Sequence, residues 1–199
     1  MRIAPVFAGV LAAIVLLVPC IAPAAGKLLP HPHIEVETTL GTFKLELVTK
    51  EAPKTVEHFL ELVDAGFYDG LIFHRVIPGF MVQAGGYTPN FKPREDEETI
   101  VNESGNALSN ARGTIAMART GDPHSADSQF FINVVDNSRL DPQKDPVRGR
   151  WGYTVFGYVF EGMDVVDKIA AAETSPQRDF PNAPVVPIVI KKISQISYD

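Results

Sequence analysis

Cysteine is all but missing from this chain. Of its 199 residues one is cysteine, Cys20, and it falls in an N-terminal stretch that reads as a leader. Without it the folded part has no disulfide, no thiolate nucleophile and no cysteine ligand for a metal, so its stability rests on its core. A basic excess is missing too: 18 Lys and Arg stand against 24 Asp and Glu, a net charge of −6. That argues against a nucleic-acid backbone as the main partner, because binding one depends on cationic side chains that displace counterions. No HExxH, P-loop, GxGxxG or GxSxG pattern occurs, which removes the chemistries those motifs carry. His31 and His33 have no Cys or carboxylate cluster at metal-ligand spacing and read as part of a solvated tail. No repeat or low-complexity tract is seen. The hydrophobic fraction of 45% and charged fraction of 21% are ordinary for a globular protein, and the length suits one domain.

What is present begins with a leader. Arg2 is followed by an almost wholly apolar run from Ile3 to Ile21, and then by Ala22-Pro23-Ala24. A charged start, an apolar stretch and an A-x-A site describe a secretory signal peptide, residues 1–24, with cleavage expected after Ala24. Loss of Arg2 leaves 17 basic against 24 acidic residues, a net charge of −7. Two other readings stay open: an uncleaved membrane anchor, since the run is long enough to span, and a lipoprotein signal at Cys20, for which Pro19 is a poor preceding residue. Residues 25–33, with two prolines and no period, read as a loose lead-in.

Beyond the lead-in the pattern is mostly β. "IEVETT" and "TFKLELV" alternate apolar and polar residues about Leu40-Gly41 and read as a hairpin. A helix is expected from Pro53 to a cap at Gly66, with Val56, Phe59, Leu60 and Val63 on its buried face and His58 just off that stripe, at the surface. Short apolar runs follow at 72–76, 80–84, 114–118, 128–133 and 154–160. A second helix is expected at Met163–Ala172, and "VVPIVIKKISQIS" reads as a long closing strand. Thr99–Val101 is the weakest strand. Many short strands and few helices suggest an antiparallel sandwich or barrel. Two long irregular stretches, 86–112 and 134–153, are of a length that usually serves a function.

Several apolar runs carry polar residues that a core strand does not need. In "FHRVIPGFMVQAGG", Pro78-Gly79 reads as a tight turn between strands. Alternation then puts Met81 and Gln83 on one face and Phe80 with Val82 on the other. His74 lies next to Arg75, should point to the opposite face and reads as structural; no spacing places His74 or His124 in a triad. "SQFFINV" sets Gln129 and Phe131 on one face, and "GTIAMART" runs from a buried strand into Arg119. Taken singly, each segment is most simply a core strand with a polar rim.

Taken together, "FHRVIPGFMVQAGG", "GTIAMART", "DSQFFINV" and "YTVFGYVFEGMDVVDKI", in this order and at these separations, resemble the cyclophilin-type peptidyl-prolyl cis-trans isomerases, most of all their bacterial periplasmic members. The resemblance covers about Ile34 to Ser197 and delimits one domain, 34–199. It implies a mainly β protein: a closed eight-stranded antiparallel barrel capped by two α-helices, with the proline site on the barrel's outer surface. It implies a monomeric isomerase of X-Pro bonds, acting on proline-containing polypeptides in the periplasm. No cofactor or metal, no nucleic acid, and no membrane contact unless the leader stays uncleaved, belong to that picture. By the same resemblance Arg75 and Gln83 are the catalytic residues. Phe80, Met81, Ala118, Arg119, Gln129, Phe131, Leu140 and Tyr153 would bind substrate. The chain departs from the eukaryotic pattern at Arg139, where many members have tryptophan, and at Tyr153, where they have histidine. Cyclosporin sensitivity therefore does not follow. Trp151, the only tryptophan, lies in an expanded loop before Tyr153.

Overall fold

A computed structural model describes residues 31–94, 96, 98–143 and 150–197. The signal peptide and most of the lead-in expected at 25–33 lie outside the described residues. The elements are β1 His33–Thr38, β2 Gly41–Leu47, α1 Pro53–Asp64, β3 Arg75–Ile77, β4 Met81–Ala84, β5 Thr114–Met117, β6 Phe130–Asn133, a short 3-10 turn Ser138–Leu140, β7 Val155–Glu161, α2 Met163–Ala170, β8 Thr174–Gln177, β9 Phe180–Pro184 and β10 Ile190–Ile196. No described helix is long and apolar enough to cross a membrane.

The hairpin forms where the alternation put it. Val36 faces Phe43 and Ile34 faces Leu45 across the β1–β2 ladder, all four buried. The eight strands pair antiparallel in the order β10-β1-β2-β7-β5-β6-β4-β3. Their inward side chains meet in one core. α1 closes it with Val56, Phe59, Leu60 and Val63, and α2 adds Val165, Val166 and Ile169. Phe59 is the hub, 5.3 Å from Tyr68, 5.8 Å from Phe130 and 5.2 Å from Phe156 between ring centroids. These are separations at which rings attract beyond their buried area.

The barrel is less closed than expected. β3 and β10 end the sheet without a ladder between them. The gap is spanned by an isolated Ile72–Val189 bridge and by backbone bonds Phe73 N to Ile188 O (3.0 Å), Ile190 N to Leu71 O (2.8 Å) and Gly70 N to Ile190 O (2.8 Å). These few bonds still satisfy edge groups that would otherwise invite another strand.

Other expectations need correction. His58 is buried, because loops cover the helix flank: its Nε2 lies 3.0 Å from the Asp127 carbonyl and 3.0 Å from an Asp96 carboxylate oxygen. Periodicity on α1 cannot show what packs over it. His33 opens β1, and His31 Nδ1 lies 3.0 Å from Glu46, so neither belongs to a loose tail. Thr99–Val101 contributes only the Ile100–Ala126 bridge. The closing strand begins at Ile190, leaving Val185 and Val186 exposed. The β8–β9 hairpin was not expected; its strands carry Pro176, Pro181 and Pro184.

α1 starts without a side-chain cap of its own, since Ala52 holds that position. Glu103, from the first long loop, reaches across instead. Its carboxylate accepts from the Thr55 amide at 2.9 Å, the Lys54 amide at 3.2 Å and the Thr55 hydroxyl at 2.8 Å. A carboxylate there meets both the free amides and the positive helix end. Glu103→Ala is expected to lower stability by about 1–2 kcal/mol in urea denaturation, with Glu103→Gln in between. Equal stability of all three proteins would remove the capping role.

Candidate active site

The outward face of the same strands builds a second, smaller apolar cluster. Met81, Ala116, Phe131 and Val155 are buried in it, with Ile77, Phe80, Leu108, Ala118, Leu140 and Tyr153 packed around them. This explains why β6 is buried on both faces: Phe130 and Ile132 face the barrel interior, and Phe131 faces out into this cluster. The cluster leaves a cavity of about 160 Å³, lined by Arg75, Phe80, Met81, Gln83, Ala118, Arg119, Phe131, Leu140 and Tyr153. Nine of the ten residues singled out in the sequence line one cavity. The tenth, Gln129, stands beside it, with its Oε1 accepting from Gln83 Nε2 at 3.1 Å.

The turn between β3 and β4 sets the geometry. Phe80 N donates to Ile77 O at 3.0 Å, and Gly79 has φ +68°. With proline before it, that is the turn in which glycine's left-handed freedom is needed. The register then pairs Arg75 with Gln83 and Ile77 with Met81. Phe80 departs from the alternation: it belongs to the turn and not to β4, so its ring joins Met81 and Gln83 at the cavity, while Val82 goes to the core. Period-two reasoning ends where the strand ends.

Arg75 is half-buried. Its guanidinium donates to Gln83 Oε1 at 3.3 Å and approaches Met81 Sδ at 3.8 Å. Burial depresses its pKa, against a smaller raising effect of Tyr153, but a guanidinium starts so high that it stays charged. Phe80 has Arg75 at 5.9 Å from its ring centroid and Arg139 at 4.5 Å. Arg119 lies over the Tyr153 ring at 4.7 Å, and its donors already meet the carbonyls of Thr120, Trp151 and Gly152. Tyr153 in turn stands edge-on to Phe131 at 5.6 Å. Trp151 is 47% exposed, with its ring 5.2 Å from His124 and not in the cavity lining.

Sequence reasoning missed the support beneath the pocket. Asn137 Nδ2 donates to the Phe80 carbonyl and to Asn133 Oδ1, both at 2.8 Å. Asn133 Nδ2 reaches Thr114 Oγ1 at 2.9 Å and Asn110 Oδ1 at 3.3 Å. Asn110 then binds Asp141, next to Leu140. Burial pushes the Asp141 carboxyl up, but hydrogen bonds from Ser109 and Asn110 outweigh it and hold the pKa below the usual carboxylate range. Asn133 ends β6 while Asn110 and Asn137 lie in loops, and an isolated asparagine at such a position has no periodic signature that marks it as buried.

Among the described residues, no serine hydroxyl bonds to His74 or His124: the Ser125 hydroxyl meets Thr120 and Asp122 instead. His74 is buried between Tyr87 and Phe180. Burial, reinforced by the Arg75 charge, lowers its pKa to about 4. The unfolded chain takes up this proton near pH 6.5 and the native state only near 4, so stability falls as pH drops through that window. The loss is on the order of 3 kcal/mol across it. Urea melts at pH 7 and pH 4.5 should differ less in His74→Phe than in the unmutated protein; an unchanged difference would sink this assignment.

Comparison with known proteins comes to the same place. Residues 33–195 match the family model for "Cyclophilin type peptidyl-prolyl cis-trans isomerase/CLD". The chain is 51% identical over 158 residues to peptidyl-prolyl cis-trans isomerase cyp18 of Streptomyces antibioticus, covering 79% of this chain and 95% of that one. It is 48% identical over 160 residues to peptidyl-prolyl cis-trans isomerase A of Dickeya dadantii, covering 80% of this chain and 82% of that one. Among solved structures, it is similar to a cyclophilin type isomerase of Cryptosporidium parvum, solved in the presence of the dipeptide Ala-Pro. The TM-score is 0.68 at 25% identity, covering 83% of this chain and 99% of that one.

Proposed function

From the premise that the chain belongs to the cyclophilin-type peptidyl-prolyl cis-trans isomerases, an enzyme family that acts on proline-containing polypeptides, we propose how this site performs the reaction and where it is used. The X-Pro bond resists rotation because amide resonance must be broken, a barrier of roughly 18–20 kcal/mol. At the twisted transition state the prolyl nitrogen regains its lone pair. A charged donor aimed at that nitrogen stabilises the twisted form above either planar form, and only such a difference accelerates the step. Arg75 fills that role. The observation that carries it is a half-buried guanidinium, held by Gln83 and Met81, on the wall of an apolar cavity of about 160 Å³.

Phe80, Met81, Phe131 and Leu140 hold the prolyl ring, with Tyr153 closing the side against Phe131. Gln83, fixed by Gln129, orients Arg75 and the substrate carbonyl. Ala118 and Arg119 line the path of the peptide backbone, where Arg119 offers its stem, its charge and the N–H groups that the Thr120, Trp151 and Gly152 carbonyls leave free. No covalent step, cofactor or metal enters this mechanism. Exchange spectroscopy on a short X-Pro peptide tests it. Magnetisation should pass between cis and trans forms at catalytic enzyme concentration. Shifted resonances without transfer would leave only a binder.

The setting we propose is export: a monomer that assists folding in the periplasm after loss of residues 1–24. The charged start, apolar run and A-x-A site support this. Peptide mass spectrometry of the N-terminus in cell fractions tests it. A mature chain beginning at Ala25 in the periplasmic fraction is expected. A retained leader in the membrane fraction would make it an anchored enzyme.

A further inference from the structure

A second cavity opens beside the proline pocket. It measures about 340 Å³ and lies between the β8–β9 hairpin, from Asp179 in its turn to Asn182 on β9, and the side chains of Arg75, Gln83 and Gln129. Arg75 and Gln83 line both cavities, so one polypeptide reaches both. The walls are largely aromatic. Tyr87 and Phe180 meet edge to face at 4.7 Å, and His74 meets them at 4.7 and 5.6 Å. Phe180 also stacks on Phe91 at 5.0 Å. Tyr87 and Phe180 are only half-buried. His74 is 3% exposed, yet its Nδ1 has no hydrogen-bond partner among the described residues.

The chemistry of these walls selects the occupant. Burial keeps the His74 ring neutral at physiological pH, so it offers an anion no charge, and the Asp179 carboxylate in the lining opposes an anion despite Arg75. Arg75 on the same wall disfavours a cation. Partly open rings with Pro181 beside them favour another ring, in the edge-to-face geometry they already use among themselves. Asp179 and Asn182 can accept from a phenol or indole at the rim. We propose that this cleft is a substrate subsite, taking an aromatic side chain that flanks the X-Pro bond held at Arg75. The inference rests on the isomerase site described above and adds a selectivity to it.

The test scans phenylalanine against alanine at the three positions on each side of an otherwise fixed X-Pro peptide, with kcat/KM read by exchange spectroscopy. Phenylalanine at one flanking position or more should raise kcat/KM roughly three- to tenfold over alanine. That ratio should return toward one in Phe180→Ala. Because this substitution also removes packing from the hairpin, the unmutated enzyme supplies an independent reading. Its Asp179, Phe180 and Asn182 amide resonances should shift with the phenylalanine peptide and stay in place with the alanine peptide. A flat scan, or shifts confined to the proline pocket with both peptides, overturns the subsite. Turnover of the alanine peptide reports the isomerase site separately, so its loss would strike that reading instead.

Discussion

Arg75→Ala should lower kcat/KM toward X-Pro peptides by about 10²–10³-fold, the usual effect of removing one donor aimed at transition-state charge. Most of the loss should fall on kcat, with KM little changed, because the guanidinium meets the twisted amide more strongly than the planar one. Arg75→Lys should recover little. Lysine brings a point charge on a flexible stem, whereas the present geometry depends on a planar group braced by Gln83 Oε1 and stacked near Phe80. The side chain lies on the outer face of the barrel, so a urea midpoint close to that of the unmutated protein is also expected. A variant turning over within twofold of the parent would refute the mechanism. A variant that had lost its fold would show it in the midpoint.

The second large effect is on stability. Phe59→Ala should cost about 3–5 kcal/mol, the range for truncating a buried phenylalanine. Phe59 is fully buried and touches three rings, from the segment after α1, from β6 and from β7. Its removal therefore takes the contact surface from the helix that plugs the barrel as well as from its neighbours. Against a typical 5–15 kcal/mol for a whole domain, that is a large share. The urea midpoint should fall with an unchanged denaturant slope, and Phe59→Leu should fall between the two. A loss under about 1 kcal/mol would mean that the site collapses around the gap, contrary to close packing.

The two substitutions separate the two apolar clusters. One lies inside the barrel and sets stability; the other lies outside and forms the cavity. In the sequence they are interleaved residue by residue. Val82 and Met81 are neighbours, as are Phe130 and Phe131, and each pair is split between the clusters by the strand's alternation. That is why each segment alone reads as a core strand, and why only the joint pattern of four segments pointed to a site. Arg75 and Gln83 were legible because a charge and an amide within apolar strands need a reason. Asn133, at the end of β6, and Asn137, in the loop after it, were not, because a buried amide looks like a solvated one until its partners are known.

Local chemistry was written in the chain itself. The period of two in β1 and β2, the amphipathic stripe of α1, the Pro78-Gly79 turn and the placement of Arg75 against Gln83 all follow from neighbours close in sequence, whose geometry steric rules confine to a few forms. Tertiary structure decided what those rules do not reach. It buried His58 under Asp96 and the Asp127 carbonyl, capped α1 with Glu103 from a loop 48 residues away, turned Phe80 toward the cavity and left the barrel joined by a few backbone bonds around Ile72 and Val189. Each of these depends on contacts between segments distant along the chain. Their register is set by which surfaces the whole fold can bury at once, and no short window of sequence contains that information.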